Sequence, residues 1–306
     1  LAPLFLSLWL LGGPLAARAW ELDKLQNPNA PLGTVATADE PPRNVRLIEK
    51  KFEELSSPPT SAYSRIALAI KPDKWRHAET DNFIFHYRRI TEAQKVVNQI
   101  EYHLWFVAKA LGASKDRYQR KSHVFIFKDE AEWKEFLPKT DASSWAASFA
   151  HADELYLNVR EKGGFEENIL AHETTHAVVA RLYFSQPWPV WLNEGFAEYM
   201  GGASQGARKG ISAFHYQGAL RMGDIPLAQL TSMTDYPTNR EQVHALYQSS
   251  QKLVRFLMNE LPKDRFPKFV DQILATNDFK KSLLAVYSDK IPSMQMFERR
   301  YERFVK

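Results

Sequence analysis

Residues 169–179 read ILAHETTHAVV, two histidines four apart in an apolar run with a glutamate beside the first. Residues 166–184 contain neither Gly nor Pro, and Pro187 and Pro189 close the segment, so the pattern predicts a helix. Positions four apart share a helix face. His172 and His176 then present two imidazoles to one point, as a zinc ion at ~2.0–2.1 Å from each nitrogen requires, and Glu173 lies one step around the turn, within reach of an attacking water. A half-buried helix can also carry two histidines that bind nothing. Catalytic zinc takes three protein ligands and keeps one position open, so a third donor decides between the two readings.

Residues 187–200 read PWPVWLNEGFAEYM. The two prolines predict a sharp reversal and a second helix from near Asn193, which makes Glu194 the candidate third donor after the seventeen-residue spacer 177–193. One turn later Glu198 is spaced to accept the outer N–H of a ligand imidazole and fix its tautomer. Two glutamates ordinarily mark a solvated face. Here Leu192, Phe196, Ala197 and Met200 leave little that is polar, and a carboxylate in apolar surroundings needs a counter-charge.

HETTH followed by WLNEGFAEY resembles the gluzincin metallopeptidases, in which a second helix supplies a glutamate to the metal of a HExxH helix. The NEGFA stretch resembles aminopeptidase N-type enzymes, and the Glu194 to Glu198 interval resembles thermolysin's ligand and its acidic partner, although the spacer is slightly shorter than in either. Over residues 81–306 the chain is most similar to the bacterial domains called peptidase MA-like. The resemblance implies an α+β, thermolysin-like zincin fold, with a mixed sheet lobe followed by a helical lobe. It implies one Zn2+ per chain on His172, His176 and Glu194, with Glu173 as general base in the hydrolysis of a peptide bond. LYQSSQKLVRFL resembles the aminopeptidase segment whose tyrosine donates to the oxyanion, which makes Tyr247 the candidate donor. By periodicity alone Tyr247 lies on an inward stripe with Val243, Ser250, Val254 and Leu257, on a helix opened by Thr238 and Glu241, and an ordinary core tyrosine is the alternative. His244 and His151 are weaker candidates for the same role.

In this class an extended substrate commonly pairs with an edge strand before the zinc helix, the place held here by residues 146–159, AASFAHADELYLNV. The acidic Gly-x-Met-Glu-Asn anchor of the aminopeptidases is missing, and Asp153 and Glu154 are poor substitutes. An endopeptidase is therefore expected rather than an aminopeptidase. The reading from a different class is a domain that keeps zinc for stability and binds a partner or envelope component. Glu173 separates the two, because a purely structural site has no use for an unligated carboxylate and is closed by a fourth protein donor.

The rest of the chain sets the frame. With 306 residues, 44% hydrophobic, it can bury one large core or two modest ones. A net charge of +4, dispersed along the chain, argues against nucleic acid as a partner. Without cysteine, any metal must be held by histidine, carboxylate or backbone oxygen. Residues 1–20, LAPLFLSLWLLGGPLAARAW, read as a signal peptide over 1–19 with cleavage after Ala19, which implies a periplasmic or secreted protein with no membrane span after its removal. The apolar run at 4–11 is much shorter than the ~20 residues a membrane helix needs.

Residues 20–78 are Pro-rich and read as a linker or strap, interrupted by VRLIEKKFEEL, a candidate short helix. The peptidase domain is expected over 79–306, divided into a sheet lobe at 79–165 and a helical lobe at 166–306. In the first, residues 83–87, 123–127 and 154–159 alternate as strands. Thr91 with Gln94 opens a helix that Gly112 ends, and Asp129 with Glu132 opens another that Pro138 stops. In the second, RFPKFVDQILAT, DFKKSLLAVYS and MFERRYERFVK have the spacing of amphipathic helices.

Overall fold

The computed structural model describes residues 40–113, 120–127, 130–144, 146–158, 166–183, 186–210 and 225–305. The signal-peptide stretch, the first part of the Pro-rich segment and Asp129 lie outside these. The described residues form a mixed α/β structure in two compact units. One holds the described residues up to Trp105 and from Ala113 to 183; the other holds Phe106–Gly112 and those from Gln186 onward.

The first unit is built on a six-stranded mixed sheet of order β1-β2-β3-β4-β6-β5. Its strands are β1 (Ile48–Lys50), β2 (Arg76–Glu79), β3 (Phe83–Tyr87), β4 (Ser122–Phe127), β5 (Ser148–His151) and β6 (Glu154–Asn158). Every residue of β3, β4 and β6 is buried, as expected of central strands covered on both faces, and β3–β4 and β4–β6 pair in parallel. Parallel neighbours need a crossover. Between β3 and β4 the chain runs through α2 (Ile90–Ala110). Glu92 starts this helix by accepting the N–H groups of Arg88 and Arg89, in place of the expected Thr91, and Gly112, at φ 59, follows its end. Between β4 and β5 lies α3 (Glu130–Phe136). The hairpin joining β5 to β6 turns at Ala152, which takes a left-handed φ of 51.

The Pro-rich segment from residue 40 to 78 is folded into this unit and does more than span a gap. The stretch expected as a short helix instead places β1 antiparallel on β2 and closes with one 3-10 turn at Phe52–Glu54. Pairing the open edge of β2 outweighs a weak local helix preference. Glu79 anchors the arrangement: it receives Lys50 at 3.0 Å, Lys121 at 2.6 Å and the Ser56 N–H at 2.6 Å. Burial works to raise its pKa, but these hydrogen bonds and the Lys121 charge bring it down to about 2. The helix α1 (Ala62–Ala69), capped by the Ser61 side chain on the Ser64 N–H, adds Ala67 to an aromatic core of Trp75, Phe125, Phe127, Phe136, Phe149 and Tyr156.

The HETTH segment forms α4 (Glu167–Leu182), which packs on β5 and β6. It therefore belongs to the sheet unit, and the helical unit begins at 186 instead of 166. That unit contains α5 (Val190–Arg208), α6 (Leu227–Ser232), α7 (Arg240–Glu260), α8 (Phe266–Thr276), α9 (Phe279–Tyr287) and α10 (Met294–Val305). Its centre is the packing of α5 on α7. At Gly195 a Cβ would overlap the Ser250 carbonyl, so only glycine allows the two backbones this close. Asn239, rather than the expected Thr238, caps α7 by accepting from the N–H groups of Glu241 and Gln242. Trp188 and Trp191 pack against Phe196 and Phe279, as residues of a core. Among the described residues no helix is long and apolar enough to cross a membrane.

Candidate metal centre

From Ile169 to Val179 every residue of α4 is buried, so each polar side chain there needs a partner. Thr174 and Thr175 donate back to the carbonyls of Leu170 and Ala171, at 2.6 and 2.8 Å, and are satisfied within the helix. The other three polar side chains turn to different work. Glu173, 2% exposed, accepts the backbone N–H of Ala150 in strand β5 at 2.9 Å. His172 and His176 bring their Nε2 atoms to 3.0 Å of one another. Two imidazole nitrogens this close need a positive centre between them, either a shared proton or a cation.

The structure brings together the three expected ligands. His172, His176 and Glu194 are all buried, and one donor atom of each lies within 4.8 Å of the others. Among the described residues this is the one group of three or more His, Cys, Asp or Glu side chains so arranged. The Nε2–Nε2 distance is slightly below the roughly 3.3–3.4 Å that two nitrogens adopt at ~2.0–2.1 Å on one tetrahedral centre, so a small opening admits the ion. Two neutral nitrogen donors and a carboxylate suit a borderline metal such as zinc.

Glu194 lies in the first turns of α5, which starts at Val190 because the Pro189 carbonyl accepts the N–H groups of Leu192 and Asn193. It is fully buried, and the Tyr236 hydroxyl donates to its Oε1 at 2.5 Å. Tyr236 carries no sequence signal beyond an aromatic residue before a proline in a polar loop, TDYPTN, where periodicity is silent. Glu198 follows one turn after Glu194, half-buried and outside the three-residue group.

Tyr247 is buried on α7 along the stripe of Val243, Ser250, Val254 and Leu257, one turn before the Ser250 carbonyl that meets Gly195. The weaker donor candidates have other partners. His151 lies against Tyr63 with ring centroids 4.2 Å apart and planes tilted by 42°, and burial lowers its pKa. His244 Nε2 lies 3.1 Å from Gln248 Nε2. Asp153 pairs with Arg120 at 2.8 Å, and Glu154 accepts from Ser61 and Tyr156, both at 2.5 Å, with its pKa raised by burial. Both acids are thus engaged by other residues of the fold.

No family model matches the chain, and no curated protein matches it.

Proposed function

We propose that the chain is a zinc-dependent peptide-bond hydrolase of thermolysin-like fold, acting as an endopeptidase. The observation that carries this reading is the buried group of His172, His176 and Glu194 with a second buried acid, Glu173, beside the first ligand and outside the group. A divalent cation, when bound there, supplies Lewis-acid polarisation of the scissile carbonyl and of the attacking water, lowering that water's pKa from about 15.7 toward ~7. Glu173 takes the proton of the attacking water and passes it to the leaving amine. Its hydrogen bond from Ala150 holds the carboxylate at the sheet edge, where an extended peptide would add as a further strand to β5. Tyr247 donates its hydroxyl to the developing oxyanion. Glu198 steadies a ligand imidazole.

The apolar stretch at 4–11 and the small residues around Ala19 support an exported protein acting on peptides or proteins outside the cytoplasm.

The test is Glu173→Gln, which keeps the shape of the side chain and removes the base. Zinc content stays near one per chain while cleavage of a peptide library falls at least about 100-fold. Equal cleavage by variant and parent refutes the role of Glu173. Zinc retention by a parent chain that cuts nothing supports a zinc-stabilised binding domain instead.

A further inference from the structure

A glutamate that serves as a metal ligand has a problem of its own. The last torsion of its side chain, between an sp3 and an sp2 carbon, has broad, shallow wells, so the plane of the carboxylate is poorly fixed by the side chain itself. A ligand that must be found by rotation binds more weakly than one already aimed. Glu194 is fully buried, and one of its oxygens receives the hydroxyl of Tyr236 at 2.5 Å.

The chain around Tyr236 is built to hold that hydroxyl still. On one side, α6 closes with the Met233 N–H on the Leu230 carbonyl at 3.3 Å. On the other, Asn239 caps α7 through its side chain. Between them Pro237 restricts the backbone of Tyr236 to extended conformations. The half-buried ring is thus carried on a short span pinned at both ends by helix termini.

We infer that Tyr236 is a positioning residue for the cation site: its hydroxyl fixes the Glu194 carboxylate in the orientation that meets His172 and His176. This rests on the reading of those three side chains as a metal centre. Tyr236 acts through Glu194 and has no part in moving protons to or from substrate.

The experiment measures Zn2+ affinity of the full chain by competition with a chromophoric chelator, for the parent, Tyr236→Phe and Tyr199→Phe. Tyr199 is the appropriate comparison because it lies on α5 with Glu194, is buried, and donates to Asn259 Oδ1 at 2.9 Å, a residue outside the three-residue group. Tyr236→Phe is expected to weaken zinc binding about 10–100-fold, the usual consequence of removing a partner behind a ligand. Tyr199→Phe is expected to leave the affinity within about twofold of the parent, as a change behind no ligand should. Substituting Co2+ and recording its visible absorption reads the coordination directly, and the Tyr236→Phe bands should differ from the parent's even if the variant is less stable. Parent-like affinity and spectrum in Tyr236→Phe overturn the inference while leaving the metal centre intact, and equal losses in both tyrosine variants overturn it as a general effect of loosening. A parent chain that binds no Zn2+ refutes the metal centre itself, and this inference with it.

Discussion

Two sets of histidines lie in the sheet unit, all buried except the half-buried His77, and they are built for opposite ends. Across β2, β3 and β4 runs a file of three: His77 Nδ1 faces His86 Nδ1 at 2.8 Å, and His86 Nε2 faces His123 Nδ1 at 3.0 Å. Neighbouring strands lie about 4.8 Å apart, so side chains on successive strands line up one after another and their nitrogens do not meet at a point. Each contact in the file is satisfied by a single proton, and neutral imidazoles supply it. Burial, together with the neighbouring imidazoles, holds His86 well below its usual pKa. His77 and His123 each fall to about 4, chiefly through burial and then through Arg76 and Arg120, against weaker opposing pulls from Glu53 and Glu79. On α4 the two imidazoles share one helix face, converge on one spot and are joined by a carboxylate. A cation can be held by the second arrangement and not by the first. What separates them is the secondary structure that carries the rings and a carboxylate whose oxygen lies within 4.8 Å of a nitrogen of both.

The sharpest way to break this comparison is to remove one histidine from each set. His176→Ala should abolish stoichiometric zinc binding and cleavage together. His86→Ala should keep one zinc per chain and lose roughly 2–4 kcal/mol of stability, through the cavity and the two ring nitrogens left without partners. Zinc lost by both variants would show that the file is part of the metal site.

The next effect is on acid stability, followed by chemical denaturation of the metal-free chain. A buried neutral histidine has a folded pKa below its unfolded value, so the unfolded chain takes up protons that the native chain refuses. Stability should be full above pH 6.5 and fall by a few kcal/mol as pH drops toward about 4. Glu79 contributes separately, its stabilisation lost between pH 4.5 and about 2. Glu101 and Glu154, raised by burial, act in the opposite sense, so the informative quantity is the difference between parent and His86→Leu. The variant should show the shallower slope between pH 6.5 and 4, and identical slopes would remove the file from the account.

The smallest effect sharpens the dependence of Glu194 on helix packing. Gly195→Ala forces α5 away from the Ser250 carbonyl and should cost about 1–3 kcal/mol in urea denaturation, with weaker zinc binding. The acid slope of the histidine file should stay as in the parent. An undiminished zinc affinity would show that Glu194 tolerates the shift.

These regions also differ in how much of them could be read from the sequence. Helix α4, the pair His172 and His176, and the placing of Glu194 on a second helix all follow from short-range spacing, because helical geometry is set within a turn or two. Strands β3, β4 and β6 are legible for a similar reason, as short alternating segments, although alternation does not show that both of their faces are buried. Strands β1 and β2, with sequences IEK and RHAE, carry no such pattern; pairing across a sheet creates them. The same non-local origin hides the histidine file, the attachment of α4 to the sheet unit and the hydroxyl of Tyr236 on Glu194, none of which has a period. The caps were misread by a position or so, with Glu92 and Asn239 in place of Thr91 and Thr238, since several neighbouring polar residues can serve and only the folded backbone selects one. The role of Tyr247 is of another kind: its burial follows from the stripe, while the proposed donation to an oxyanion is a matter of chemistry that no period encodes.

The central claim is a single cation held by two side chains of α4 and one of α5. Crystals of the full chain grown with one equivalent of Zn2+ test it through anomalous scattering at the zinc edge. The account predicts one peak at ~2.0–2.2 Å from a ring nitrogen of His172, a ring nitrogen of His176 and a carboxylate oxygen of Glu194. A peak elsewhere, or no peak with those side chains well ordered, would contradict it.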